Sequence, residues 1–172
     1  MKLTSTQIGS IAENLVANEV MIESGGRLSP FQPIADDDGI DVLFYDKVTG
    51  GSIRIQIKAR TKTVNKPGSK IPANTVHFEV RKATLDTDRN AYLLCVLLDS
   101  ALRKTERAWL VPLKFLPKVA SNRDSKYIIR ANRDTKSNDK YKRFQCASMS
   151  DVCNRIIEDM EATPNSNRSF RF

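Results

Sequence analysis

Apolar positions along this chain change their spacing several times, and each change marks an element. From about Ser5 to Ser24, the residues Ile8, Ile11, Ala12, Leu15 and Ile22 recur at helical intervals, with Val16 and Val20 widening the stripe. Thr4, Ser5 or Thr6 can cap the helix, and Gly25-Gly26 supplies a left-handed stop. Glu13 falls on the shoulder of the apolar face beside Val16 and Val20, so it faces the rest of the protein at least in part. Glu19 lands nearer the middle of the stripe, and nothing in the pattern accounts for it.

The spacing then drops to two. A short strand is expected near Arg27 to Ile34, followed by the acidic turn Asp36-Asp37-Asp38-Gly39. The runs Ile40-Asp41-Val42-Leu43-Phe44-Tyr45 and Ile53-Arg54-Ile55-Gln56-Ile57-Lys58 alternate as strands do, joined by a turn over Thr49-Gly50-Gly51. Residues 61–73 are polar with Gly and Pro and read as a loop. Val76 to Lys82 alternates again. Ala91 to Asp99 is apolar throughout and reads as a buried strand. Ala108 to Leu113 and Tyr127 to Arg130 are further strands, with exposed basic loops over 119–126 and 133–142. A last helix covers roughly Ser150 to Glu161, capped by Ser150, with Val152, Ile156 and Ile157 inward. The order predicts an α/β fold in which an N-terminal helix precedes a β-meander in a mixed sheet flanked by helices. No internal repeat and no second core shows, so one domain over 1–162 with a flexible tail at 163–172 is expected.

Composition narrows the class. At 172 residues the chain can bury a full core, and 40% hydrophobic with 28% charged content suits a soluble protein. The run Ala91 to Leu98 is too short to span a bilayer, and the first ten residues lack the apolar centre of a secretory signal. Cys95, Cys146 and Cys153 form an odd set without metal spacing, and a reducing, cytoplasmic setting is expected.

Charge is distributed unevenly. Residues 1–53 carry three bases and eight acids, residues 54–70 six bases and no acid, and residues 103–143 thirteen bases and four acids. An acidic segment among basic ones suits a metal site set in a phosphate-binding surface. The lysines could equally serve solubility alone, and charge does not separate DNA from RNA or from an acidic protein.

Alternation brings three polar side chains to one place. Arg54, Gln56 and Lys58 share one face of their strand, and Asp41 lies opposite Ile40, Val42 and Phe44 on its own. A carboxylate, a carboxamide and an ammonium can therefore meet between adjacent strands, where such a trio can hold a divalent cation beside a phosphodiester.

The ordered strings Gly9-Ser10-Ile11-Ala12-Glu13, Gly39-Ile40-Asp41-Val42 and Ile55-Gln56-Ile57-Lys58-Ala59 resemble the PD-(D/E)xK nuclease superfamily, the restriction-endonuclease-like fold. The resemblance covers about residues 8–60, with a looser match through 91–99 and 108–113. It is nearest the branch of archaeal Holliday-junction resolvases and type IV-like restriction nucleases, where the first helix carries GxxxE and the third motif is often QxK. It implies a Mg²⁺-dependent DNA endonuclease, with Mn²⁺ as a substitute, leaving a 5′-phosphate and a 3′-hydroxyl. Asp41 is then the principal ligand, with the Gln56 amide oxygen and the Ile57 carbonyl beside it. Glu13 binds through water or holds a second ion. Lys58 neutralises charge developing on the phosphorus and helps activate the water. Arg54, Arg60, Lys62, Lys66 and Lys70 are the expected DNA contacts, and a homodimer suits cleavage of two strands.

Two departures stand out. Gln56 occupies a position where many members carry an acid, which weakens attraction for a cation. The PD dipeptide is absent, since Ile40 precedes Asp41. An inactive nuclease-fold DNA-binding or assembly module is therefore the alternative. His77 is the one histidine, which excludes a His-rich zinc site, and it reads as structural. Trp109 reads as core. Tyr127, Tyr141 and Phe144 interleave with bases as in some nucleic-acid binders. The glycine pairs lack any phosphate-loop or dinucleotide context, so no nucleotide cofactor is expected.

Overall fold

A computed structural model describes residues 3–34, 39–65, 74–85 and 90–162. The acidic run Asp36 to Asp38, the bases Lys66 and Lys70 and the tail 163–172 lie outside the described residues. The first helix, α1 (Ser5–Glu23), begins with a reciprocal cap: Thr4 Oγ1 accepts the Gln7 N–H at 3.2 Å, and Gln7 Oε1 accepts the Thr4 N–H at 2.9 Å. Gly25 at φ 60° and Gly26 at φ 78° turn the chain out of it. Ala12, Val16, Ala17 and Val20 form the buried face. Ile22, expected inside, is 71% exposed. At 3.6 residues per turn it lies about 200° round from Val20, so seating the row 12–16–20 on the sheet turns Ile22 to solvent.

Three strands follow as the expected antiparallel meander, β1 (Leu28–Phe31), β2 (Val42–Asp46) and β3 (Ser52–Arg60). The next strand, β4 (Thr75–Arg81), leaves this sheet. β5 (Ala91–Leu98) returns to pair in parallel with β3, β6 (Thr105–Pro112) pairs antiparallel with β5, and the short β9 (Gln145–Cys146) closes the order β1-β2-β3-β5-β6-β9. A second sheet, ordered β4-β8-β7, combines β4 with β7 (Ser121–Arg123) and β8 (Lys126–Asn132). Two helices complete the chain, α2 (Leu116–Val119) and α3 (Met149–Ala162).

Both faces of the six-stranded sheet are covered, and each has its own apolar cluster. On one side α1 and α3 pack on Ile53, Ile55, Ile57, Leu94 and Val96. On the other, Val76, Phe78, Val80 and Ile129 of the second sheet meet Leu93, Cys95, Leu97 and Trp109. This corrects the expectation of a single core. It also explains why β5 is apolar at nearly every position: a strand buried on both faces cannot alternate.

Two smaller expectations change. The segment 119–126 contains β7 and a hairpin turn at Asp124, φ 47°, rather than a loop. The cap of α3 is Ser148, whose hydroxyl accepts the Asp151 N–H at 3.2 Å while Asp151 Oδ2 accepts the Ala147 N–H at 2.8 Å. Glu19 also finds its reason. Its two carboxylate oxygens accept the Thr105 N–H at 3.0 Å and the Thr105 hydroxyl at 2.6 Å, tying α1 to the start of β6.

Candidate functional site

The two sheet partners of β3 do not run its full length. Pairing with β2 goes from Tyr45↔Ser52 to Val42↔Ile55, and the Asp41 N–H adds a last rung to the Ile55 carbonyl at 3.0 Å. Beyond it the chain turns away through Gly39 and Ile40, while β5 stays paired with β3 as far as Arg60. The edge of β3 that β2 has left is occupied by a side chain instead. Asp41 Oδ2 accepts the Ile57 N–H at 2.5 Å. The N–H and C=O of one strand residue point to the same side, so the Ile57 carbonyl opens on this edge as well.

Gln56 lies between these groups. Its side chain projects toward the second sheet and is 5% exposed, yet its Oε1 has no hydrogen-bond partner among the described residues. A buried amide oxygen left unpaired costs about 1–3 kcal/mol, which makes Gln56 Oε1 a candidate donor to a ligand. The other end of the amide lies close to Gly39, which stands at φ 65°. A β-carbon at Gly39 would sit 3.1 Å from Gln56 Nε2 and 2.4 Å from the Thr84 carbonyl oxygen. Only glycine fits both this backbone and this close approach. The glycine of the GID string is therefore part of the site, a role that the string alone does not disclose.

Lys58 is half-buried one pleat beyond Gln56, in register with Cys95 of β5. Burial pushes the Cys95 thiol up to about 12, while the charges of Lys58 and Arg60 pull against that rise. Of the expected set, Asp41 is bonded to Ile57 at the strand edge, while Gln56 and Lys58, on either side of Ile57, project from the face toward the second sheet. Glu13 is half-buried on α1, the helix packed on the opposite face of β3. Among the described residues, no three His, Cys, Asp or Glu side chains cluster in the manner of a metal cage. The oxygen donors at this place are the engaged Asp41 carboxylate, the Gln56 carboxamide without a partner among the described residues, and the Ile57 main-chain carbonyl. That hard, oxygen-only donor set fits Mg²⁺ or Mn²⁺, which tolerate few protein ligands.

The expected DNA contacts divide into two kinds. Arg54 and Lys62 are exposed at the two ends of β3. Arg60 is exposed as well and also braces the fold: its guanidinium donates to the His77 carbonyl at 2.9 Å and lies 6.0 Å over the Phe78 ring, tying β3 to β4. Trp109 is core, as expected, packed edge-on against Phe78. Tyr141 and Phe144 are 2% and 6% exposed, so neither offers a ring for a base to stack on. They are apolar anchors under a basic surface, which composition alone does not separate from a stacking platform.

No protein-family model matches this chain, and no curated protein matches its sequence. Among solved structures it is similar to a bacterial homing endonuclease, I-Ssp6803I, with a TM-score of 0.61 and 13% identity over 94% of this chain and 96% of that one. At that identity the likeness establishes a shared mixed α/β fold. No helix among the described residues is long and apolar enough to cross a membrane.

Proposed function

We propose that this chain is a Mg²⁺-dependent DNA endonuclease on the PD-(D/E)xK plan, with Mn²⁺ as a substitute cofactor. One observation carries the reading: Gln56, whose buried Oε1 has no partner among the described residues, directly precedes Ile57, whose N–H is capped by the Asp41 carboxylate where β2 has stopped pairing. The shared fold with a homing endonuclease supports it. Asp41, Gln56 Oε1 and the Ile57 carbonyl would hold the cation, with Glu13 assisting through water or a second ion. When bound, the cation supplies a Lewis acid that offsets phosphate charge and acidifies water.

The chain's own residues do the rest. Asp41 is oriented by its bond to Ile57, so its second oxygen is directed before any ligand arrives. Lys58, half-buried, places an ammonium where negative charge grows on the phosphoryl oxygens and can orient the attacking water. Arg54 and Lys62 hold the flanking backbone. Paired copies about a two-fold axis would cut both strands.

Cleavage of plasmid and four-way-junction DNA tests the reading. Mg²⁺ should support it, EDTA should stop it, and Lys58→Ala should abolish it. Undiminished cleavage by the Lys58→Ala protein would sink the mechanism. A second reading, a nuclease-fold DNA-binding module without turnover, is favoured by Gln56 itself, which leaves this strand edge with a single carboxylate among the described residues. Calorimetry separates the two: DNA binding without any Mg²⁺ or Mn²⁺ heat and without nicking selects the module.

A further inference from the structure

The basic segment 103–143 folds into a defined surface away from β3. A cleft of about 570 Å³ lies where α2 meets the turn before β9, lined by Lys118, Asp139, Lys140, Lys142 and Arg143. Four bases there face one acid, and that acid is engaged with the backbone. Asp139 Oδ2 accepts the Asn132 N–H at 2.6 Å and Oδ1 accepts the Tyr141 N–H at 2.9 Å. Lys142 is also committed, donating to the Thr135 carbonyl and to Gln145 Oε1. Lys118, Lys140 and Arg143 are exposed and make no ion pair among the described residues.

These cations are also held in place. Arg143 lies 4.6 Å over the Phe144 ring and 5.5 Å over Phe115, and Lys140 lies 5.4 Å over Tyr141. The rings are anchored in turn, since Tyr141 donates its hydroxyl to the Val119 carbonyl at 3.0 Å inside the core. A charge already fixed on an aromatic face loses less freedom when it meets an anion.

The surface connects topologically to the β3 edge. Thr84, which touches Gly39, ends the turn that follows β4, and Lys82 in that turn donates to the Asp124 carbonyl at 2.7 Å. From β4 the second sheet steps through β8 to β7, about 10 Å at ordinary strand spacing. Arg123 ends β7, and Lys118 lies on α2 just before it. Bases therefore mark a path from the Gly39 end of the site to the cleft.

We infer that this cleft is a second phosphate-binding surface, which grips the backbone of nucleic acid flanking the scissile bond. It rests on the nuclease reading for the identity of the polyanion. Lys118, Lys140 and Arg143 each neutralise a backbone phosphate, and the contacts are blind to sequence.

Binding of a labelled duplex to the full chain in EDTA, measured by anisotropy across a salt series, tests this without cleavage. The triple variant Lys118→Gln, Lys140→Gln, Arg143→Gln should flatten the slope of log affinity against log salt by about 2–3, at about 0.9 per lost phosphate contact. Lys118→Gln alone, which removes no stacking on a ring, should flatten it by about 0.9 and guards against misfolding of the triple variant. Lys47→Gln, on the β2–β3 turn at the opposite side of the sheet, should leave it unchanged. A wild-type slope in both cleft variants overturns the inference while leaving the nuclease reading intact. Displacement of the duplex by poly-glutamate at equal charge would overturn the choice of partner. Failure of the wild-type chain to bind DNA even at low salt would overturn the nuclease reading, and this inference with it.

Discussion

The carboxylate of Asp41 caps the Ile57 N–H at 2.5 Å, at the point where β2 has stopped pairing with β3. One side chain thus fills a gap in the sheet and presents an oxygen at the strand edge. Its two duties can be separated. Asp41→Asn keeps an acceptor for the N–H but loses the charge, so thermal stability should change little while Mg²⁺-dependent cleavage falls about 100-fold or more. Asp41→Ala removes both and leaves the Ile57 N–H unpaired in a residue that is 4% exposed, at a further cost of about 1–3 kcal/mol. Equal melting temperatures for the two variants would show that the hydrogen bond does not hold this edge.

Gln56 makes the opposite prediction. Its Oε1 lacks a partner among the described residues, so replacing the amide by an apolar group of similar size gives up no hydrogen bond of that oxygen. Gln56→Leu should keep or raise the melting temperature in EDTA and abolish the Mg²⁺ response. Gln56→Glu should destabilise the metal-free protein, by setting a second carboxylate beside Asp41 in a buried place. With the ion bound it should tighten Mg²⁺ affinity about tenfold, the equivalent of about 1.4 kcal/mol. Calorimetric titration with Mg²⁺ reads both changes. Unchanged affinity in both variants would remove Gln56 from the ligand set.

Gly39 couples the turn to that amide. Gly39→Ala needs a left-handed backbone and brings a methyl within 2.4 Å of the Thr84 carbonyl oxygen. The chain must shift, and Gln56 Nε2 shifts with it. The expected cost is about 1–3 kcal/mol, with weaker metal binding although no ligand has been altered. Denaturation and Mg²⁺ titration of the same variant check the pair, and lost stability with intact metal affinity would uncouple the turn from the site.

How legible these features were in the chain depends on the range over which each is specified. Alternation over Ile53 to Lys58 put Gln56 and Lys58 on one face, because strand geometry is local. The meander was legible for the same reason. The second sheet was not. β7 is three exposed residues, Ser121 to Arg123, which carry no apolar alternation and become a strand only through pairing with β8. Glu19 could not be explained because its partner, Thr105, lies 86 residues away. The role of Gly39 likewise depends on Thr84, from a turn far along the chain. Tyr141 and Phe144 misled for a related reason: an aromatic among bases reads the same whether it stacks on a ligand or anchors a loop.

Acid sensitivity should centre on Asp46, away from the site. This fully buried carboxylate accepts two hydrogen bonds from the Arg27 guanidinium, each 2.8 Å, with further bonds from the Val48 N–H and the Thr49 hydroxyl. The guanidinium holds it well below the usual carboxylate range, against the opposing pull of burial, and the Val48 and Thr49 donors act in the same direction as Arg27. The folded pKa therefore lies below the unfolded one, and the unfolded chain takes up a proton first as pH falls. The stabilisation is complete above the unfolded value, near about 4, and is lost as pH drops toward the folded one. Asp46→Asn should cost about 2–4 kcal/mol at pH 7, because it takes from the Arg27 guanidinium its buried charge partner and leaves it the exposed Glu161, 2.7 Å away. The difference between wild type and variant should stay level from neutral pH to about pH 5 and narrow below it. Thermal melts in a buffer series from neutrality to pH 3 measure that gap directly. A gap that stays constant over the whole series would mean that Asp46 titrates alike in the folded and unfolded chains, and that the corner it forms with Arg27 does not set the acid limit of this fold.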